Sequence, residues 1–577
     1  MQIVGKLTSA SGLAITGGVG LALSYPPFSC APLAWLAPVC WALLIRRRDL
    51  CGTVAGQASP ASTSPKRLSF ARHPYVAIWF GGWIFWLVTL HWLLLPGWVW
   101  TFGWLGLATY LSLYVPLFVA IARCGVHACG LPLVLVVPVV WTAMELAQAH
   151  MLTGFAMCGL AQTQYGWVHL IQIGDVAGPY GIAFVMTFTA ACLARMLPCY
   201  GQRFVWRPAI AAASVLGLCL GYGAWRLAAQ SDSQAGDSQT TDSQTTAVAL
   251  VQPSLGRDMQ NTPGWRRIIH QSCAEQSRAA LRQWPDVELI VWPETTLDAH
   301  LITFDEEPRL PAKISAVSYE TREDLDLARK RDEARLRRTA LELGAAAGDG
   351  DRPQRWLLAG LYTWHVGRDG TELMNSAALV NSQGSIVDRY DKVHAVVFAE
   401  YVPWGSVLPW LNALFALDDG ITRGSKAQTF DAGRLRVSPS ICYEITLPHR
   451  IRENVAALSA EEKEPDALVV LSNNGWFWGS AEQDLILANS VLRAVENRKP
   501  VLIAANTGIS ASISGDGRVV ERTPKGVETA IRADVAPDAR RSLYVTVGDW
   551  PAAVCLIAAL AIVAARLGFV GKRPPKH

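Results

Sequence analysis

The chain has 577 residues, of which 51 % are hydrophobic and only 17 % charged, with 23 tryptophans and a positive mean hydropathy. It is too long for one ordinary core and too apolar for a wholly water-soluble protein, so it reads as a membrane protein with a substantial soluble part. A formal net charge of +4 is small for this length, and no basic patch interleaved with aromatics marks a nucleic-acid surface, so no nucleic-acid partner is expected.

Seven apolar segments, near 8–25, 30–45, 75–95, 99–122, 131–147, 177–197 and 208–228, precede the soluble region, and an eighth lies near 550–569. The first two are short for a hydrocarbon core of about 30 Å and suit tilted, re-entrant or hairpin helices. No small-residue cleavage site follows the first, which is therefore expected to be retained. Basic residues alternate between loops. Arg46, Arg47, Arg48, Lys66, Arg67 and Arg72 follow the second segment; Arg195, Arg203 and Arg207 surround the end of the sixth; Lys572, Arg573 and Lys576 follow the eighth. The loops near 26–29, 96–98 and 148–176 carry none. The positive-inside rule then puts both termini in the cytoplasm and the large soluble region on the outer face. The stretch 151–176 is rich in glycine and aromatics and is open between a re-entrant segment and a plain loop; Asp175 within it is expected to cap the following helix.

Residues 230–246 form a polar Ser/Gln/Thr/Asp tract, expected to be a flexible linker. Beyond it, β-rich runs appear at 247–252, 287–292, 356–363, 376–381, 385–389, 435–441, 467–472, 501–506 and 511–514, with helical patterns at 263–283 and 483–498. Asn381-Ser382-Gln383-Gly384 and Ser514-Gly515-Asp516-Gly517 read as hairpin turns. The mixture predicts an α/β sandwich with sheets covered by helices. A charged stretch near 305–355 is expected to be a surface insertion carrying a solvated helix. The expected domains are a transmembrane bundle at 1–229, the linker, a catalytic domain at 247–545, and a last transmembrane helix with a cytoplasmic tail at 546–577.

Twelve cysteines lack metal-ligand spacing, and only Cys273 and Cys442 lie in the soluble region. Cys442, in Ser440-Ile441-Cys442-Tyr443-Glu444, directly follows a predicted strand; Glu294 and Lys392 also follow β-rich runs. A free thiol is only a few per cent ionised at neutral pH, so a nucleophilic cysteine needs a base or a neighbouring cation. Glu294 suits the base if burial raises its pKa. Lys392 suits stabilisation of the thiolate and then of the oxyanion, with the Tyr443 backbone N–H as a second donor. Taken singly each residue has an ordinary structural reading; their joint occurrence in an α/β region points to acyl transfer through a thioester. Cys273 is a rival nucleophile without a matched base, and a Cys273–Cys442 disulfide would abolish the chemistry.

Val291-Trp292-Pro293-Glu294, Tyr390-Asp391-Lys392-Val393-His394, Phe398-Ala399-Glu400-Tyr401-Val402-Pro403 and Ile441-Cys442-Tyr443-Glu444-Ile445 together resemble the apolipoprotein N-acyltransferases, membrane-bound members of the nitrilase superfamily. Asn473-Asn474-Gly475-Trp476-Phe477, Arg493-Ala494-Val495-Glu496 and Asn506-Thr507-Gly508-Ile509-Ser510 extend the resemblance, as do Gly154-Phe155 and Gly178-Pro179-Tyr180-Gly181 in the membrane half. It implies a polytopic α-helical membrane bundle of about eight spans joined to a nitrilase-like α-β-β-α sandwich in a bacterial inner membrane, with the sandwich periplasmic. It further implies a phospholipid acyl donor, a diacylglyceryl apolipoprotein acceptor, and no metal or organic cofactor. By this resemblance Glu294, Lys392 and Cys442 form the catalytic triad. Glu400, Tyr443 and Glu444 support the pocket, and Trp476, Phe477 and Trp478 suit a greasy lid. The chain departs from the family pattern in its long 305–355 stretch, after Val251-Gln252, and at Gln483-Asp484. These departures leave two alternatives: a related acyltransferase of conjugal-transfer systems with another acceptor, and a membrane-anchored carbon–nitrogen hydrolase.

Overall fold

Apolar segments that must place their amides in hydrocarbon have to satisfy them internally, and the runs of the N-terminal region do so as helices. A computed structural model describes residues 9–48, 50, 73–198, 203–237, 245–256, 262–305, 321–345, 354–368, 370–402 and 420–571. The chain divides into two units, one made of residues 1–226 with 547–577 and the other of residues 227–546.

The first unit holds α1 (Ala10–Ala22), α2 (Leu33–Arg46), α3 (Pro74–Thr89), α4 (Trp100–Ser112), α5 (Tyr114–Arg123), α6 (Leu133–His150), α7 (Gly174–Met196), most of the apolar part of α8 (Arg207–Asp237), and the C-terminal helix Trp550–Gly571. Among the described residues, five stretches are long and apolar enough to cross a bilayer: Trp100–Ala128, Leu133–Thr153, Gly174–Met196, Arg207–Ala229 and Trp550–Leu567. α1, α2 and α3 have 13, 14 and 16 residues. At 1.5 Å per residue they reach about 20–24 Å, less than a hydrocarbon core of about 30 Å.

Lipid offers no hydrophobic drive between helices, so close backbone approach must hold them, and small residues permit it. A Cβ at Gly18 of α1 would fall 1.9 Å from the carbonyl oxygen of Gly81 in α3. At one end of the bundle, basic side chains bind carbonyls freed at helix ends. Arg46 Nη1 donates to the carbonyls of Ala194 and Leu197 at 2.6 and 2.7 Å, and Arg123 Nη2 to that of Arg48 at 2.9 Å. Lys66, Arg67, Arg72, Lys572, Arg573 and Lys576 lie outside the described residues.

The 151–176 stretch folds into short turns with Leu160–Gln164 buried. Leu160 N donates to Glu145 Oε1 on α6 at 2.9 Å, and Tyr25 Oη donates to Gly159 O at 2.6 Å. Asp175 is not the helix cap expected from sequence. It is buried and pairs with Arg226 of α8 at 2.7 Å, while Tyr222 Oη donates to it at 2.6 Å. A carboxylate there is cheaper paired than left to serve backbone N–H groups alone.

The second unit is a two-sheet sandwich. One sheet contains β1 (Thr246–Gln252), β2 (Leu289–Val291), β3 (His300–Phe304), β4 (Trp356–Val366), β5 (Thr371–Val380) and β6 (Ile386–Asp391). The other contains β7 (Phe430–Ala432), β8 (Leu435–Ile441), β9 (Ala467–Ser472), β10 (Val501–Ala505), β11 (Ala511–Ile513) and β12 (Val519–Arg522). The last strand, β13 (Thr529–Val535), returns to the first sheet, whose order is β13-β1-β2-β4-β5-β6 with β3 beside β4. The second runs β12-β11-β10-β9-β8-β7. Both expected hairpins form, joining β5 to β6 and β11 to β12. Strands β3, β7, β12 and β13 were not anticipated; β12 is mostly exposed and lacks an apolar run.

Alternation within single strands builds two cores. Val248 and Leu250 face the second sheet's Val437, Ile441, Val469 and Leu471. Ala247, Ala249 and Val251 face the helical side, with Ile269 and Cys273 of α9 (Trp265–Gln283) and Leu336 and Ala340 of α10 (Arg322–Ala345). The charged helix is therefore no solvated arm: Leu336, Ala340 and Leu343 seat one face of it in the outer layer. The flanks of this stretch, 306–320 and 346–353, lie outside the described residues. α11 (Pro448–Ala460) packs on α12 (Ala481–Asn497), and α12 on β10 and β11, completing an α-β-β-α sandwich. Of the polar tract 230–246, residues to 237 continue α8 and 238–244 lie outside the described residues.

Candidate active site

Three strands deliver the three residues singled out in the sequence. Glu294 comes three positions after β2, Lys392 one after β6, and Cys442 directly after β8. β2 and β6 belong to one sheet and β8 to the other, so the site lies where the two sheets meet.

Glu294 is buried and anchored on both oxygens. Asn375 Nδ2, from β5, donates to Oε1 at 2.6 Å, and the backbone N–H of Asn473, just past β9, donates to Oε2 at 2.9 Å. Its neighbour Thr295 has φ +54°, a left-handed backbone that costs a β-branched residue about 1–2 kcal/mol. Gly360 of β4 makes room for this turn: a Cβ there would fall 2.5 Å from both Glu294 Cα and Thr295 N. Burial raises the Glu294 pKa, with the Lys392 charge opposing and Glu400 adding to it.

Lys392 is also buried. Its Nζ donates to Glu400 Oε1 at 2.7 Å and stands 3.7 Å from Glu294 Oε1. Burial alone would push the ammonium down, but Glu400, Glu294 and Cys442 outweigh it, and the lysine is held above its ordinary value. Glu400 is itself fixed by the Val396 backbone N–H at 2.8 Å. Pro403, beyond it, lies outside the described residues.

Cys442 is half-buried, with φ +55°, and opens a short 3-10 turn, Cys442–Thr446. Such a strained strand-to-turn junction lifts a nucleophile off the sheet edge. Burial pushes the thiol pKa up, and Glu294 and Glu482 push it further; Lys392 opposes them. A thiol raised in this way needs a base to take its proton, the part expected of Glu294. Cys442 and Cys273 are both free, and Cys273 is on the buried face of α9, in the core.

Glu444 is a fastener between the two loops. It accepts from the backbone N–H of Ile441 at 2.8 Å, of Val393 and His394 at 2.9 Å, and from Tyr390 Oη at 2.9 Å. It ties the nucleophile turn to the residues following Lys392. Tyr443 is partly exposed and stacks on His394, ring centroids 5.9 Å apart. Trp476 and Trp478 are exposed on and just after the Asn474–Phe477 turn, with Phe477 partly buried. The edge of Trp478 lies over Gly256, where a Cβ would meet it at 1.8 Å.

Three residues of the site escaped the sequence reading. Asn375 sits in an ordinary-looking strand. Tyr390 belongs to the Tyr-Asp-Lys run, yet its role appears only through Glu444. Glu482, buried at the start of α12, accepts Asn474 Nδ2 on both oxygens at 2.9 and 2.8 Å.

Among the described residues no cluster of three or more His, Cys, Asp or Glu side chains is arranged to hold a metal ion. The site is an acid–base, thiol and ammonium constellation, equipped for acyl transfer.

The carbon-nitrogen hydrolase family model matches residues 247–544, just over half the chain, and the apolipoprotein N-acyltransferase N-terminal domain model matches residues 17–192. An apolipoprotein N-acyltransferase from Geobacter metallireducens is 29 % identical over 564 residues, covering 96 % of this chain and 94 % of its own. One from Rhodopirellula baltica is 26 % identical, covering 92 % of this chain and 93 % of its own. Among solved structures, Saccharomyces cerevisiae Nit3, of the nitrilase superfamily, is 18 % identical with a TM-score of 0.35, covering 53 % of this chain and 97 % of its own. With its membrane helices, its sandwich and both family matches, the chain belongs to the carbon-nitrogen hydrolase family, among the apolipoprotein N-acyltransferases.

Proposed function

We propose that this membrane enzyme moves a fatty acyl chain from the sn-1 ester of a phospholipid to the α-amine of a diacylglyceryl-cysteine at an apolipoprotein N-terminus. The chemistry runs in two half-reactions through a thioester on Cys442. In the first, Glu294 takes the thiol proton as Sγ attacks the ester carbonyl. Lys392 Nζ and the Tyr443 backbone N–H stabilise the oxyanion. The C–O bond then breaks, and the lysophospholipid alkoxide leaves with the proton from Glu294. In the second, the amine attacks the thioester carbonyl, Glu294 accepts a proton from it, and the proton passes to the departing Sγ as the amide forms.

The observation that carries this reading is the meeting of Cys442, Glu294 and Lys392 in one electrostatic neighbourhood, with Lys392 Nζ 3.7 Å from the Glu294 carboxylate. The raised thiol pKa favours general-base attack over a standing thiolate ion pair. Glu400 and Glu444 act by holding Lys392 and the nucleophile turn. The alternation of basic loops supports an inner-membrane enzyme with residues 247–545 on the periplasmic face and helices flanking that domain at 1–229 and 546–577. Acyl chains of both substrates then stay in lipid while their headgroups react.

The test is mass spectrometry of the Cys442 peptide after incubation with a phospholipid. A fatty-acyl adduct, absent from Cys442→Ala, supports the reading. Ammonia release from amides without any adduct would replace it with a hydrolase. Rescue of a strain depleted of its own N-acyltransferase tests the acceptor; failure alongside a normal adduct points to a different amine.

A further inference from the structure

Glu482 is a buried carboxyl that the triad chemistry does not use. It occupies the second position of α12, with its own N–H bonded to the Ser480 side chain at 3.3 Å. Its carboxyl meets one donor, Asn474 Nδ2, and among the described residues it forms no ion pair. The lysine whose charge acts on it is committed elsewhere: Lys525 Nζ binds Asp484 Oδ2 at 2.5 Å and Ser480 O at 2.9 Å. Asn474 is the direct neighbour of Asn473, whose N–H grips Glu294 and whose Oδ1 accepts from Asn506 Nδ2 at 3.0 Å. A continuous path therefore runs from Glu482 through Asn474 and Asn473 to the base. Glu482 also acts directly on the electrostatics of Cys442.

We propose that Glu482 is a positioning residue for this site: through Asn474 it sets the turn whose backbone N–H holds Glu294, and its charge controls how readily the Cys442 thiol ionises. The catalytic half of this proposal rests on the acyl-transfer reading above; the electrostatic half does not.

A buried carboxyl without a cation holds its proton to unusually high pH. Here burial is the main cause and Asn474 and Lys525 oppose it, leaving the pKa at about 8. The titratable and charged groups facing it, among the described residues, are Cys442 after β8, Glu294 after β2, Lys525 between β12 and β13, and Asp484 on its own helix. Near neutrality Glu482 is mostly uncharged and leaves the thiol alone. Once ionised, it sets a second negative charge beside Cys442 and Glu294 and disfavours the thiolate.

The experiment alkylates the full-length protein in detergent with iodoacetamide across a pH series and follows the Cys442 peptide by mass spectrometry. Glu482→Gln, uncharged and of the same shape, is expected to react like the parent near pH 7. It should react roughly threefold to tenfold faster near pH 9, the effect of removing a coupling of up to about one pKa unit. Superimposable profiles over the whole range overturn the electrostatic half. In thioester formation from phospholipid, Glu482→Ala should lose about tenfold in kcat with KM little changed, as expected when a base is misplaced, and Glu482→Gln should restore most of it. An unchanged kcat in Glu482→Ala overturns the positioning half. No phospholipid adduct on the parent defeats the acyl-transfer reading itself, while the alkylation series still decides the electrostatic coupling.

Discussion

Lys392 Nζ donates to Glu400 at 2.7 Å, a full ångström closer than its 3.7 Å approach to Glu294. The ammonium is thus held chiefly by a carboxylate outside the proposed triad. Glu294 spends its own oxygens on Asn375 and the Asn473 N–H and is free of a tight ion pair that would suppress its basicity.

Removing the ammonium should be costly. Lys392→Ala is expected to slow thioester formation by roughly a hundredfold or more, comparable to the loss of one oxyanion donor. Glu400→Gln keeps a hydrogen-bond acceptor but loses the charge that pins the lysine, and should cost less, about tenfold. Rapid-quench measurement of the Cys442 adduct checks both; a near-normal rate for Lys392→Ala would remove it from the mechanism.

The Glu294 pKa sits above that of an ordinary glutamate. As a base it must be ionised, so the first half-reaction should fall on acidification at a pH above the usual carboxylate range. The Asn375 hydrogen bond favours the ionised form. Asn375→Ala should therefore shift the acid limb to higher pH, visible in the single-turnover rate against pH.

Glu482 links pH to stability as well. Its folded pKa of about 8 exceeds that of an unfolded glutamate. The stabilisation it carries is complete below about pH 4.3, the unfolded value, and is lost as pH rises through the folded one. The midpoint of thermal unfolding should fall between about pH 6 and pH 9 in the parent, and less steeply in Glu482→Gln.

Glu444→Ala strips the acceptor from three backbone N–H groups and from Tyr390 Oη. Buried donors left unpaired cost about 1–3 kcal/mol each. The variant should unfold at markedly lower temperature and lose Cys442 acylation, because the nucleophile turn and the Lys392 loop are no longer joined.

Gly360→Ala introduces a methyl group 2.5 Å from the Glu294 backbone. Overpacking of this kind costs about 1–3 kcal/mol, and relief by displacing Glu294 should abolish adduct formation even where the protein stays folded. Thermal unfolding alongside adduct formation separates the two effects.

How far the site was legible depended on burial pattern. Strands such as β1, β9 and β10 are continuous apolar runs because both faces are covered, and such runs stand out. β2 and β8 are buried in the same way, and Glu294 and Cys442 follow them closely enough to be assigned to strand ends. β3 and β12 were not legible, because a half-covered or exposed strand carries no comparable run. The helix of 322–345 looked solvated because its arginines and carboxylates hide a narrow stripe of Leu336, Ala340 and Leu343.

Local chemistry determined a great deal on its own: apolar helices that must satisfy their own amides, a sandwich of β-rich runs, and a thiol, a carboxylate and an ammonium each just beyond a strand. Which groups hold those three in register was decided by tertiary structure alone. Asp175 gained a partner 51 residues away, Glu294 was fastened by Asn375 and Asn473, and Glu482 was brought within electrostatic reach of the nucleophile. The physical reason is that a polar side chain in a helix or strand has the same local signature whether it faces water or a buried partner. Only the closing of the two sheets removes the water, and with it sets the pairing and the pKa.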